Sequence, residues 1–183
     1  MPRTLRYKPQ PHTLYEVTCR CLQQRFLLRP SEVVNDRILG IIGRAQTLYP
    51  VRLYLFVVVS NHMHLIVSAQ DTRGLARFME YVNGNIAREV GGRVHDWRGK
   101  FWARRYTAIP ILDDESLLRR VYYVLSHGCK EGLVEHPGAW PGVHCVDGLV
   151  EGKPLIGHWI DRSAMHLPDK ARKTQVDERK YRT

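Results

Sequence analysis

The chain is short of acid, of cysteine and of long apolar runs. Its 183 residues hold 18 Asp and Glu against 28 Lys and Arg, a formal net charge of +10. That imbalance points to a polyanionic partner, nucleic acid first; mere solubility is the plainer reading of the same charge. The four cysteines, Cys19, Cys21, Cys129 and Cys145, include no pair at CxxC spacing. A zinc knuckle or dithiol redox site is therefore not expected, and all four read as reduced thiols. No stretch approaches the ~20 apolar residues of a membrane span. The start, Met1-Pro2-Arg3-Thr4-Leu5-Arg6, has no apolar run behind its charges, so neither a membrane partner nor a secretory leader is expected. A cytoplasmic protein is the expectation. What the chain does have is 44% hydrophobic and 25% charged residues. That excludes collagen, coiled coil and wholesale disorder. No internal repeat is visible, and the length suits one domain with a small appendage.

Residues 14–22 are rich in strand formers and carry no helical stripe, which predicts a strand. Ser31 then reads as the N-cap of a helix with Glu32 in its first turn. Val34, Ile38, Ile41, Ala45 and Leu48 recur at helical spacing, and Pro50 follows. Residues 51–59 are nearly all apolar, which suits a strand buried on both faces. Ser60-Asn61 interrupts, and residues 62–68 alternate as a second strand, so the pair is expected as a hairpin. Leu75, Phe78, Met79, Val82, Ile86 and Val90 predict a second helix, ended by Gly91-Gly92. Residues 93–105 are basic and aromatic. Tyr106 to Ile111 reads as a strand that Pro110 confines to an edge. Asp113-Asp114-Glu115 starts a third helix running to about Cys129. From His136 the chain has no periodicity, and residues 168–183 read as a mobile tail. This order predicts an α+β fold, a ferredoxin-like or RRM-like antiparallel sheet with its helices on one face. Such a fold does not by itself specify a function.

The chemistry gathers in two segments. Val59-Ser60-Asn61-His62-Met63-His64-Leu65-Ile66-Val67 puts His62, His64 and Ile66 on one strand face and Met63, Leu65 and Val67 on the other. Two imidazoles held two residues apart can bind one divalent metal and leave positions open for substrate. Surface or hydrogen-bonded histidines are the plain alternative. On the third helix, Tyr123 and His127 are four apart and share a face. Tyr123 can supply a nucleophilic hydroxyl there and His127 a third ligand. Tyr122 points about 100° away, so both tyrosines cannot face one metal. Half-buried aromatic packing is the plainer reading of the two tyrosines from spacing alone.

Asn61-His62-Met63-His64 resembles the HUH motif, histidine–hydrophobe–histidine, of the single-tyrosine HUH transposases. Tyr123-Val-Leu-Ser-His-Gly-Cys-Lys-Glu-Gly-Leu-Val134 resembles the tyrosine helix of their REP-associated tyrosine transposase branch, whose pattern is Tyr-Ile-x-x-Asn-Pro-Val-Lys/Arg-x-Gly-Leu-Val. Lys100-Phe101-Trp102 and Trp140-Pro141 resemble two further elements of that branch. The resemblance runs in order from about Leu14 to Pro141. It places the HUH motif on a central strand and the tyrosine on a C-terminal helix. It divides the chain into a transposase domain, 1–141, and a partly flexible C-terminal extension, 142–183. One departure is clear: His127-Gly128 stands where the branch has Asn-Pro.

The resemblance implies a metal-dependent single-stranded DNA endonuclease and strand transferase acting on hairpin or palindromic repeat DNA. Tyr123 would form a covalent 5′-phosphotyrosine, and His62, His64 and His127 would hold the metal. Mg²⁺ or Mn²⁺ is what the family implies, and softness alone leans three imidazoles towards Mn²⁺ or Zn²⁺. A nucleoid-associated location follows, as a monomer or homodimer. For DNA contacts the sequence offers Arg93, Arg98, Lys100, Arg104 and Arg105 around Trp97, Phe101 and Trp102, with phosphates followed by cations and bases stacked on rings. Core packing is the alternative for Phe101 and Trp102. Arg119 and Arg120, one turn before Tyr123, can meet a phosphate or form a solvated face. Arg3, Arg6 and Lys8 make a candidate arm. Two other functions fit the same residues. One is a domesticated binder of hairpin DNA that no longer cuts; the other is a hydrolase that uses a metal-bound pair of histidines and water.

Overall fold

The computed structural model describes residues 13–160 and, as backbone, residues 178–182. Strand β1 (Leu14–Arg20) leads into helix α1 (Glu32–Leu48), whose first turn is capped by Ser31 Oγ accepting from the Val34 N–H at 3.2 Å. Val34, Ile38, Ile41, Ile42 and Ala45 form its buried stripe, and Pro50 prevents its continuation. The hairpin of β2 (Val51–Val59) and β3 (His62–Ala69) turns at Ser60-Asn61, as its alternation predicts. Helix α2 (Thr72–Ile86) is capped by Asp71 and buries Leu75, Phe78, Met79, Val82 and Ile86. β4 (Thr107–Ile111) follows, then α3 (Asp114–Leu125), capped by Asp113, and one turn of α4 (His127–Lys130). Beyond lie α5 (Val146–Glu151), β5 (Ile156–Ile160) and β6 (Glu178–Arg182).

The four main strands form one antiparallel sheet in the order β2-β3-β1-β4. This is the expected α+β architecture, with the His-Met-His strand second from one edge and Pro110 on the edge strand β4. All eight residues of β3 are buried, so both faces must be covered. On one face Met63, Leu65 and Val67, each at most 1% exposed, lie under α1 and α2. Burying side chains of this size contributes about 1.5–3 kcal/mol each. Asn83 of α2 donates to Cys19 Sγ at 3.3 Å and fixes that helix to the odd-numbered face of β1. The even-numbered face carries α3. Helices on one face only were expected, and the structure corrects this. His62, His64 and Glu16 are polar yet buried, and a helix that brings polar partners is what can cover them.

Two helix ends also differ from expectation. Gly91-Gly92 does not end α2; π-helical turns continue through Val94. The reason is close packing: a Cβ at Gly91 would come within 2.6 Å of the Phe101 ring. The third helix breaks at Ser126, where Ser126 Oγ donates to the Tyr122 carbonyl at 2.7 Å. The segment from Trp140 onward is joined to the sheet: Val58 N–H donates to the Val143 carbonyl at 2.8 Å, and Trp140 Nε1 to the Val58 carbonyl at 2.8 Å. β5 pairs with β6 and crosses α1 at Gly40 and Gly157. The arm residues Arg3, Arg6 and Lys8 lie outside the described residues, as does most of the stretch read as a tail.

Candidate active site

The register of β1 against β3 builds the floor of the site. Arg20 sits opposite His62, Thr18 opposite His64 and Glu16 opposite Ile66. Because strand side chains alternate, Glu16, Thr18, Arg20, His62 and His64 share one face. α3 lies across it and adds Arg120 and Tyr123, and the break at Ser126 lets His127 follow. The i, i+4 pairing of Tyr123 and His127 survives that break, with ring centroids 5.0 Å apart.

One ring nitrogen from each of His62, His64 and His127 can be chosen so that all three lie within 4.8 Å of one another. All three residues are buried, at 4%, 3% and 0% exposure. Their outer hydrogen bonds set their tautomers. His62 Nδ1 lies 2.5 Å from Asn61 Oδ1, and Asn61 Nδ2 reaches the Gln24 carbonyl at 3.4 Å. His62 Nδ1 therefore donates and its Nε2 is a lone pair. His64 Nδ1 lies 2.9 Å from Glu16 Oε1 and 3.2 Å from Thr18 Oγ1. His62 Nε2 and His127 Nε2 approach to 2.7 Å, and the donor there is His127. This leaves His64 Nε2 and His127 Nδ1 buried without a hydrogen-bond partner.

Electrostatics point the same way. Burial, then the charges of His64 and His127, lower the His62 imidazole to about 3. Burial, then His64 and Arg20, lower His127 to about 4. Both are neutral ligand-form rings at neutral pH. Burial pushes Glu16 upward, but His64 and Arg120 outweigh it and leave the carboxylate below its ordinary range. Neutral rings, two unpartnered buried nitrogens and an anion just behind them are a donor set that suits a divalent cation. Cysteine takes no part: the four thiols are free, and Cys19, Cys21 and Cys145 are buried in the core.

Tyr123 packs edge-on against His64, with ring centroids 5.3 Å apart, and carries Lys130 Nζ 4.6 Å from its own ring. Burial, then the negative charge of Glu16, holds its phenol above the ordinary value. Tyr122 is 75% exposed and faces away. A pocket of about 240 Å³ opens beside Tyr123 and His64, and Arg20, Arg104, Arg105 and Arg120 line it. A second groove of about 630 Å³, between α2 and residues 99–106, shares Arg104 and Arg105 with the first and adds Lys100.

Two other basic residues fall apart from this cluster, and Arg120, at the pocket wall, has a protein partner. Arg98 is exposed and faces Asp96 at 3.7 Å. Arg119 pairs with Glu115 on the outer face of α3. Arg120 is engaged by the buried Glu16. Phe101 is core, and Trp102 Nε1 donates to the Asn83 carbonyl at 2.9 Å. Glu16, Thr18 and Arg20 were missed by the sequence reading. Their signal was present: polar residues two apart in a strand otherwise made of core residues.

Residues 12–127 match the family described as "Transposase IS200 like". No curated protein matches. Among solved structures, a REP-associated tyrosine transposase bound to a REP hairpin shares the fold, with a TM-score of 0.65 and 16% identity over 98% of each chain. A protein described as a candidate transposase of Deinococcus radiodurans R1 is 19% identical, with a TM-score of 0.46 over 68% of this chain and 94% of its own.

Proposed function

The chain belongs to the family of IS200-like transposases, and from that premise we propose that it cuts and rejoins single-stranded DNA through Tyr123. The observation that carries this reading is the meeting of a tyrosine, three buried imidazoles and a pocket lined by arginines. Its fold relative was bound to a REP hairpin, and we extend hairpin or palindromic repeat DNA to this chain as substrate.

In the proposed reaction Tyr123 Oη bonds to the scissile phosphorus and the P–O3′ bond breaks. The products are a 5′-phosphotyrosine and a free 3′-OH, which in net terms receives the phenolic proton. A 3′-OH from another strand reverses the step, so phosphodiester energy is retained and no ATP is required. The phenol sits above its ordinary value and is protonated at neutral pH, so attack depends on charge compensation around the phosphate. Arg20, Arg104 and Arg105 supply fixed positive charge at the pocket wall. His62, His64 and His127 would hold a divalent cation, which when bound polarises the phosphate as a Lewis acid. Three nitrogen donors favour Mn²⁺ over Mg²⁺. The proposed catalytic residues all lie before residue 141, while Val143 and Cys145 carry the hydrophobic core beyond it.

Covalent capture tests the reading. The protein, Mn²⁺ and labelled single-stranded oligonucleotides from the gene's flanks should give an adduct stable to denaturation. Tyr123→Phe should give none. Hairpin binding without an adduct from any flank would instead mark a non-cutting binder. Cleavage that survives Tyr123→Phe would mark a water nucleophile.

A further inference from the structure

Glu16 is 3% exposed and makes two contacts at once. Its Oε1 lies 2.9 Å from His64 Nδ1, and its Oε2 takes a hydrogen bond from Arg120 Nη1. A carboxylate this deep is costly unless both oxygens are satisfied. Here the two partners belong to different elements: His64 to β3, the middle of the sheet, and Arg120 to α3. Arg120 stands three residues before Tyr123, on the adjoining turn of the same helix. The bonds in the chain Arg120–Glu16–His64 therefore fix two things together. They hold the proton of His64 on Nδ1 and leave Nε2 as a lone pair turned into the histidine cluster. They also hold α3 against the sheet where Tyr123 packs on His64.

We propose that Glu16 is a positioning residue that sets the tautomer of His64 for metal binding and, through Arg120, seats the tyrosine helix over it. This rests on the reading of the three histidines as a metal site. Arg120 is thereby tied through Nη1 to Glu16 and serves as a structural strut, while Arg20, Arg104 and Arg105 face the same pocket. Thr18 adds a second contact to the same ring nitrogen at 3.2 Å, but a hydroxyl can accept or donate and cannot fix the tautomer alone. Only the acceptor-only carboxylate does so.

Two measurements test this. The first is the tautomer of His64 in the metal-free wild-type protein at pH 8, read from the ¹⁵N shifts and long-range couplings of its ring. The Nδ1–H form is expected; the Nε2–H form would overturn the proposal, and no variant needs to fold for this answer. The second is Mn²⁺ affinity by titration, without DNA, for wild type, His64→Ala and Glu16→Gln, each checked for native circular dichroism. Folded Glu16→Gln should bind Mn²⁺ about 10- to 100-fold more weakly than wild type, the usual effect of removing a ligand's supporting carboxylate. Binding within twofold of wild type would overturn the role of Glu16 and leave the metal site standing. Equal affinity in wild type and His64→Ala would instead overturn the metal reading and this proposal with it.

Discussion

At the scale of single residues, the sharpest feature is His127, a third imidazole where the resemblance implies asparagine. An amide oxygen is a harder and weaker donor than imidazole. His127→Asn should therefore lower Mn²⁺ affinity by roughly tenfold or more and narrow the gap between Mn²⁺ and Mg²⁺, as read by metal titration of the two proteins. The same ring gives a pH dependence. His62 and His127 are depressed to about 3 and about 4, whereas unfolded chains protonate these rings near 6.5. The metal-free protein should then be fully stable above about pH 6.5 and lose stability as the pH falls towards 4, because the unfolded state binds the extra protons. Urea unfolding midpoints in the presence of chelator measure this. A midpoint constant across that range would contradict the buried neutral rings. The shared faces of His62 with His64 and of Tyr123 with His127 were legible in the sequence, because two apart on a strand and four apart on a helix are direct statements about a face; their roles came from the resemblance. The shared face of Glu16, Thr18 and Arg20 was legible in their alternation, but the burial and partners of Glu16 were not, since an acid in a strand usually faces water. Its partners lie 48 and 104 positions along the chain, and it takes the pairing of β1 with β3 and the docking of α3 on that face to bring them near.

At the scale of elements, the sequence carried the strands and the helix starts but not every helix end. Ser31 and Asp113 cap where their types predict, because capping is a contact within three residues. Gly91 misled because its smallness serves Phe101, ten positions later and unseen by local pattern. The segment beyond Val143 was opaque for a related reason: α5 and β5 are too short for periodicity, and their order comes from docking. That docking makes a prediction. A Cβ on Gly157 would lie 2.2 Å from the Gly40 amide nitrogen and 2.5 Å from Leu39. These are mostly backbone atoms of a helix and cannot swing aside. Gly157→Val should cost about 1–3 kcal/mol of overpacking and release β5 from α1. A lowered urea midpoint, with proteolysis within residues 152–160, is the expected result. His158 Nδ1, now 2.6 Å from Asp36 Oδ1, would lose its partner in the same step.

At the scale of the whole molecule, the excess of positive charge resolves into parts with different duties. Arg120 is spent on Glu16 and Arg119 on Glu115, while Arg104 and Arg105 stand at the wall common to both pockets. Binding of a single-stranded oligonucleotide should weaken steeply with salt. The double variant Arg104→Ala, Arg105→Ala should flatten the log–log slope by about 1.4, the loss of two phosphate contacts at ~0.7 each. The same substitution made at Arg119 should leave the slope nearly unchanged. Among the described residues no helix is long and apolar enough to cross a membrane. The fold itself fits many chemistries, so the account's central claim lies in one bond between protein and DNA. The direct measurement is mass-spectrometric mapping of the protein after reaction with Mn²⁺ and a cleavable single-stranded flank, followed by digestion of both polymers. The account predicts a nucleotide joined through its 5′ phosphate to Tyr123 and to no other residue. Cleaved DNA with an unmodified Tyr123, or a phosphate carried by Tyr122, would contradict it.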